Sequence, residues 1–207
     1  MKEQTFVPLA KRRWILSTFA GWFGGAIMII VTSMIFDGIG LEGFQFYIGI
    51  SMGGSIGFFQ WRTMRISVPI GAVWMWASLA GVGIPFLAND LLAKYGGLSL
   101  GSYFLPISVF FGGLLTGIFQ YVVLKKEFSG ATRWIVACWA GWIAASLTIF
   151  AIDYVTDNVK NLAGFFINLA LIFSGGPVLG WVTAATIRNI LSSPVSEEHT
   201  EQQSYKS

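Results

Sequence analysis

Few residues of this chain are suited to chemistry that needs a base, a nucleophile or a metal ligand. The 207 residues include one histidine and one cysteine. His199 lies among glutamates near the end of the sequence, where a solvated polar segment is far more common than a metal site. Cys138 falls in an apolar stretch and has no second cysteine with which to form an intramolecular disulfide. The sequence therefore predicts no metal, no cofactor and no catalytic residue, and we expect a protein that is not an enzyme.

The most regularly placed polar residues are two glutamines. Gln60 and Gln120 each close the pattern G-x-x-x-G-x-x-Q, and Thr183 takes the glutamine's place in a third copy. Residues three and four apart share a helix face, so these side chains should point into a helix interface. Polar groups there usually hold membrane helices together through hydrogen bonds. The alternative is a polar vestibule lined by the three residues, through which a small solute could pass.

Three aspartates, Asp37, Asp90 and Asp153, lie near the ends of apolar stretches. They could form an acidic ring that concentrates cations at one mouth of a pore. The other interpretation is that they are ordinary loop acids, since their separations of 53 and 63 residues differ. No apolar stretch carries a charged residue near its middle, so an ion-coupled transporter or a proton pathway is not expected.

The elements that carry these residues are membrane-spanning helices. Apolar residues make up 55% of the chain and charged residues 11%, whereas soluble domains are about one-quarter charged. Each of six nearly charge-free stretches is long enough to cross about 30 Å of hydrocarbon. We therefore predict an all-α integral membrane protein with six transmembrane helices. The predicted spans are residues 14–36, 44–61, 67–88, 103–124, 134–153 and 162–186.

Basic residues predict the orientation of these helices, because lysine and arginine favour the cytoplasmic side of short loops. Only Lys94 and Lys160 fall on the opposite side, which also carries most of the acids. Both termini are therefore predicted to be cytoplasmic, in the inner membrane of a bacterium. The net charge of +3 follows from this topology and indicates no nucleic-acid partner. The eleven basic residues on the predicted cytoplasmic side are Lys2, Lys11, Arg12, Arg13, Arg62, Arg65, Lys125, Lys126, Arg133, Arg188 and Lys206.

Internal repetition is the most specific signal in the sequence. In the even-numbered spans the same glycines recur 60 and then 63 residues later, and in the odd-numbered spans a Trp and an Ala-Gly pair recur every 60 residues. The sequence thus predicts three helical hairpins of about sixty residues, related by a pseudo-threefold axis along the membrane normal. The recurring glycines are Gly53 and Gly57, Gly113 and Gly117, Gly176 and Gly180, and Gly21, Gly81 and Gly141.

We expect these glycines to be packing residues, because small residues let membrane helices approach closely. Hinges, or places where a ligand meets bare backbone, are the less frequent alternative. The tryptophans that open each hairpin, Trp14, Trp74 and Trp134, are predicted to lie at the membrane interface, as are Trp61 and Tyr121.

The predicted domain organisation is simple. Residues 1–13 form a basic cytoplasmic segment, residues 14–186 form the six-helix domain, and residues 187–207 form a polar cytoplasmic tail that we expect to be disordered. Within the domain the repeats cover about 13–66, 67–130 and 131–188.

The unit G-x-x-x-G-x-x-Q, followed by Trp or Tyr and then a basic residue, resembles repeats in small multi-pass bacterial membrane proteins of uncharacterised role. The resemblance covers residues 13–188 in outline, and the last copy departs from it at Thr183. It implies a membrane location and no particular activity.

The sequence leaves two functions open. The first is a non-catalytic accessory or interaction subunit that binds membrane lipid, another membrane protein or a second copy of itself. The alternative is a channel or facilitator for a small neutral or weakly polar solute. A membrane enzyme acting on lipid is a weaker third hypothesis, and it would depend on the outer aspartates.

Overall fold

The computed structural model describes residues 9–41 and 43–194. The predicted roles of Lys2, Lys206 and the segment around His199 fall outside these residues. The described chain forms six α-helices and one short 3₁₀ turn at Gly101–Tyr103. The helices are α1 (Lys11–Gly38), α2 (Phe46–Met64), α3 (Val73–Gly96), α4 (Phe104–Leu124), α5 (Arg133–Asn158) and α6 (Leu162–Leu191).

Five of the six helices are long and apolar enough to cross a membrane, which is consistent with a helical membrane protein. The exception is α2, which corresponds to the predicted span 44–61. Small and polar residues such as Gly49, Ser51, Gly53 and Gln60 are buried in α2 and lower its mean hydropathy. They are the residues through which α2 packs on its neighbours, so its composition reflects protein contacts on this helix.

The helix boundaries that differ most from prediction are in α3, α5 and α6, and α5 continues past the predicted end at residue 153 to Asn158. Pro69 and Gly71 disfavour helix, so α3 begins only at Val73. It continues past residue 88 to Gly96 and ends where Gly97 adopts a left-handed conformation with φ of 66°. α6 continues to Leu191, so residues 187–191 belong to a helix rather than to the predicted disordered tail.

The helices form a closed ring. Each helix packs against its neighbours in sequence, and α6 also packs against α1. Because successive helices run in opposite directions, the starts of α1, α3 and α5 meet the ends of α2, α4 and α6 at one end of the ring. We call this the basic end, because it carries nine exposed cations. They are Lys11, Arg12, Arg13, Arg62, Arg65, Lys125, Lys126, Arg133 and Arg188.

The interior of the ring is packed most completely in its basic half. Buried residues of α1 and α5 extend only to Gly25 and Ala145, and those of α6, apart from Gly164, begin at Gly175. Loop residues add to this packing, because Leu9, Val68, Ile70 and Phe128 are also buried at the basic end. Because α2 and α4 both end at the basic end, Gln60 and Gln120 lie in the most tightly packed part of the molecule.

Candidate functional site

Three tryptophan–acceptor pairs form the polar centre of the basic half. The Trp74 Nε1–H donates to Gln60 Oε1 at 3.3 Å, and the Trp134 Nε1–H donates to Gln120 Oε1 at 2.8 Å. In both pairs the tryptophan lies 14 residues after the glutamine. The ring closes with the same contact, since the Trp14 Nε1–H donates to Thr183 Oγ1 at 2.9 Å.

The glutamine amides are bonded on their other side as well. Gln60 Nε2 donates to Thr18 Oγ1 at 3.2 Å, and Gln120 Nε2 donates to Ser78 Oγ at 2.7 Å. The position sixty residues beyond Ser78 is Cys138, a poor acceptor, in the one repeat without a glutamine. Its Sγ–H donates to Gln120 Oε1 at 3.8 Å. The two replacements are therefore coupled: where the amide donor is missing, its hydroxyl acceptor is missing too.

Inside the ring, Trp134 packs against both of the other tryptophans. The Trp134 ring centroid lies 5.6 Å from that of Trp74 and 6.0 Å from that of Trp14. All three side chains are at most 1% exposed. The prediction that they lie at the membrane interface is wrong, because all three side chains are enclosed by helices. Buried indole N–H groups need acceptors, and these three find them on the even-numbered helices. Trp61 and Tyr121 are half-buried, with Arg65 and Lys125 packed over their rings.

A small cavity with polar and apolar walls lies beside this network. Its volume is about 10 Å³, which is about the minimum that holds one water molecule. Thr116 is buried against the cavity, and its Oγ1 has no hydrogen-bond partner among the described residues. The lining consists of Ile56, Gln60, Ser78, Thr116, Gln120, Trp134, Cys138, Trp142, Leu179 and Thr183. Cys138 is the one titratable side chain in this lining, so the cavity offers hydrogen bonding and no acid–base pair.

The glycines of the even-numbered helices lie against the next hairpin. A Cβ at Gly53 would lie 2.5 Å from the Ser78 carbonyl oxygen, and one at Gly113 would lie 2.6 Å from Trp142 Cβ. Gly176 meets Trp22 Cβ at the same 2.6 Å, across the contact between α6 and α1. A Cβ at the second glycine of each pair would also lie near the next hairpin. It would be 2.5 Å from Ser78 Cβ at Gly57, 2.9 Å from the Ile135 carbonyl oxygen at Gly117, and 3.0 Å from Ile15 Cα at Gly180.

The glycines of the odd-numbered helices lie against the other helix of their own hairpin. A Cβ at Gly21 would be 2.6 Å from Ile56 Cα, and one at Gly81 would be 2.5 Å from Thr116 Cα. A Cβ at Gly141 would lie 2.8 Å from Leu179 Cδ1. A side chain at seven of the nine predicted packing glycines would therefore collide with a neighbouring helix, while Gly180 is in tight contact with α1 and Gly141 meets the flexible end of Leu179.

The three predicted ring acids lie in different surroundings. Asp90 is buried, and its Oδ2 accepts the backbone N–H groups of Gln45 and Phe46 at 2.8 and 2.6 Å. It thereby satisfies donors at the start of α2. Asp37 is exposed, and Asp153 is exposed beside a cavity of about 70 Å³ between α4 and α5. One of the three carboxylates is thus committed to a structural bond.

The candidate site has few chemical capabilities. Between residues 9 and 194, leaving out residue 42, no group of three or more histidine, cysteine, aspartate or glutamate side chains is placed to hold a metal ion. The network of Gln60, Gln120 and Thr183 with the tryptophans binds groups within the chain. Sequence reasoning placed the glutamines in a helix interface but missed their tryptophan partners. The sixty-residue spacing from Thr18 to Ser78 to Cys138 was the signal that could have found the remaining members.

No protein family, curated protein or solved structure compared with this chain matches it significantly.

Proposed function

We propose that this chain is a non-catalytic, multi-pass membrane protein that acts as an accessory or interaction subunit, binding lipid or other membrane helices. In this proposal the three hairpins α1–α2, α3–α4 and α5–α6 are pseudo-repeats, all six helices cross the inner membrane of a bacterium, and the basic end faces the cytoplasm. The recurrence of each Trp–acceptor and glycine contact in all three hairpins supports the repeat. The nine cations at one end support the orientation.

The observation that carries the proposal is the direction in which polar and apolar groups point. The polar side chains of the interior bond one another, while large apolar side chains cover the outside of the helices. Examples are Trp76 on α3, Val136 on α5 and Trp181 on α6, which are 59%, 64% and 64% exposed. A surface of this kind has hydrocarbon or another helix as its natural neighbour.

The test is to extract the full chain gently from its own membranes and weigh what remains bound by native mass spectrometry. A stoichiometric membrane-protein partner, or retained lipid at fixed stoichiometry, is the expected result. Release of the bare chain under conditions that keep other membrane complexes intact would contradict the proposal.

The second candidate is a facilitator for a small neutral or weakly polar solute, and the presence of Gln60, Gln120 and Thr183 on the wall of the small cavity favours it. The variant Gln60→Leu/Gln120→Leu separates the two functions. If the glutamines serve only to join helices, the variant loses stability, and vesicles containing the wild-type chain take up polar solutes no faster than empty vesicles. If wild-type vesicles take up such a solute and the folded variant does not, the facilitator replaces the accessory-subunit proposal. Trp76→Phe, at an exposed position, is the matched control.

A further inference from the structure

One of the three contacts between hairpins at the basic end has no covalent connection. α2 is joined to α3, and α4 to α5, by short loops at this end, whereas α6 meets α1 through packing and hydrogen bonds alone. We call this α1–α6 contact the seam. Gly180 packs on Ile15, and Trp14 bonds Thr183, so the two helices run antiparallel with residues 14 and 183 side by side. This register brings Arg188 level with the start of α1.

The seam is also the most positively charged of the three contacts. Lys11, Arg12 and Arg13 open α1, and Arg188 lies in the last turn of α6; all four are exposed. The Lys11 ammonium lies 5.5 Å from the Trp181 ring centroid, which connects α1 to α6 directly. Glu127, in the α4–α5 loop, is the one acidic residue that the described chain has at the basic end. Among the residues that the structure describes, this contact thus carries four cations and no acid, so a bound anion would lower their mutual repulsion.

We propose that the seam binds the headgroup of one anionic phospholipid from the adjacent leaflet. A phosphate between α1 and α6 offsets the repulsion and accepts hydrogen bonds from arginines on both helices. Trp181 provides an apolar surface at the level where the headgroup meets the acyl chains. This inference rests on the proposed function and names the class of lipid and the place where it binds.

The experiment measures lipid binding by the full chain in nanodiscs of phosphatidylcholine to which phosphatidylglycerol is added. Native mass spectrometry counts bound lipids, and the unfolding temperature is recorded in parallel. We expect one phosphatidylglycerol to bind at least ten-fold more tightly than the others and to raise the unfolding temperature. In Arg12→Gln/Arg188→Gln the dissociation constant of this lipid should rise ten-fold or more and the temperature shift should disappear. Arg12→Lys/Arg188→Lys should retain most of both.

The matched control is Arg62→Gln/Arg65→Gln, which removes two cations from the loop-connected α2–α3 contact at the same end. It should leave the tightest binding unchanged. An equal loss in both variants, or binding of phosphatidylcholine as tight as that of phosphatidylglycerol, would overturn the seam site. Inorganic phosphate at matched concentration should not raise the unfolding temperature; if it does, the lipid headgroup is not the specific ligand. Retained neutral lipid or a protein partner would leave the proposed function standing in each of these cases, so the two failures are distinguishable.

Discussion

At the residue scale, Asp90 stabilises the start of a helix other than its own. Its carboxylate, 5% exposed, accepts two backbone N–H groups that the first turn of α2 cannot satisfy internally. The negative charge also complements the positive end of the α2 dipole. We predict that Asp90→Ala lowers the free energy of unfolding by about 2 kcal/mol, because two backbone N–H donors at the start of α2 lose their acceptor.

Unfolding by sodium dodecyl sulfate in mixed micelles, followed by far-ultraviolet circular dichroism, measures this change. Asp90→Asn keeps one acceptor oxygen and should show a smaller loss. The control is Asp37→Asn, an exposed acid, for which we expect little change. Equal stabilities of Asp90→Ala and the wild type would show that the carboxylate does not cap α2.

The residues that differ between repeats give a second prediction. Thr183 bonds Trp14 but has no amide with which to reach residue 138, and Cys138 is correspondingly not a hydroxyl. A glutamine at position 183 should therefore be destabilising alone, because its Nε2 meets a poor acceptor. We predict that Cys138→Ser/Thr183→Gln is more stable than the sum of the single changes by about 1 kcal/mol.

A double-mutant cycle on the same unfolding assay gives this coupling energy directly. Gln120→Leu serves as the reference, since it breaks an existing pair at the equivalent position of the second repeat. Strictly additive effects of Cys138→Ser and Thr183→Gln would mean that the third site is not equivalent to the other two.

At the element scale, two adjacent glycines of α2 separate packing from helix propensity. A Cβ at Gly53 would lie 2.5 Å from the Ser78 carbonyl oxygen, whereas a Cβ at Gly54 would lie 3.4 Å from Leu79 Cδ1, the end of a flexible side chain. We predict that Gly53→Ala forces α2 and α3 apart and costs about 2 kcal/mol. Gly54→Ala should be neutral or stabilising, because alanine is the better helix former by about 1 kcal/mol.

Unfolding of the two variants in parallel tests this prediction. The comparison is matched because both variants replace a glycine by alanine at adjacent positions of α2. A similar loss in both would mean that glycine is needed in α2 for a reason other than the contact with α3.

Some of this architecture could be predicted from the sequence. Apolar stretches were sufficient to predict the helices. The glycine spacing predicts a packing role for Gly53 and Gly113, whose positions lie close to Ser78 and Trp142 of the next hairpin. The tryptophans were assigned to the wrong environment, because interfacial and buried tryptophans look alike until an acceptor is identified. Asp90 was missed as a cap, since its partners at the start of α2 lie 44 and 45 residues earlier in the chain and no local pattern marks them.

At the scale of the whole molecule, each helix contacts the next and α6 contacts α1, which closes the ring. The α1–α6 contact is the one between hairpins that no loop connects. Each even-numbered helix uses its glycines to hold the next hairpin, and α6 uses Gly176 and Gly180 to hold α1 in the same way. The interior of the basic half is filled by Trp14, Trp74 and Trp134, so the three hairpins share one core. A covalent link between hairpins is therefore not what determines their arrangement.

This arrangement predicts that the chain can be divided between hairpins. Fragments 1–66 and 67–207, expressed together, should assemble and copurify, because α1–α2 keeps its contacts with both α3 and α6. In the proposed orientation both new ends are cytoplasmic and need not cross the membrane. Affinity purification through a tag on one fragment measures the yield of the other.

Division inside a hairpin, between Gly97 and Leu98, is the matched control. It leaves as many helices in total but requires the start of the second fragment to cross the membrane, so assembly should fail. Gly53→Leu in fragment 1–66 should abolish copurification as well, because the side chain would enter the backbone of α3. Assembly that survives Gly53→Leu would mean that the glycine contacts do not hold the hairpins together, and equal assembly from both divisions would contradict the orientation with the basic end in the cytoplasm.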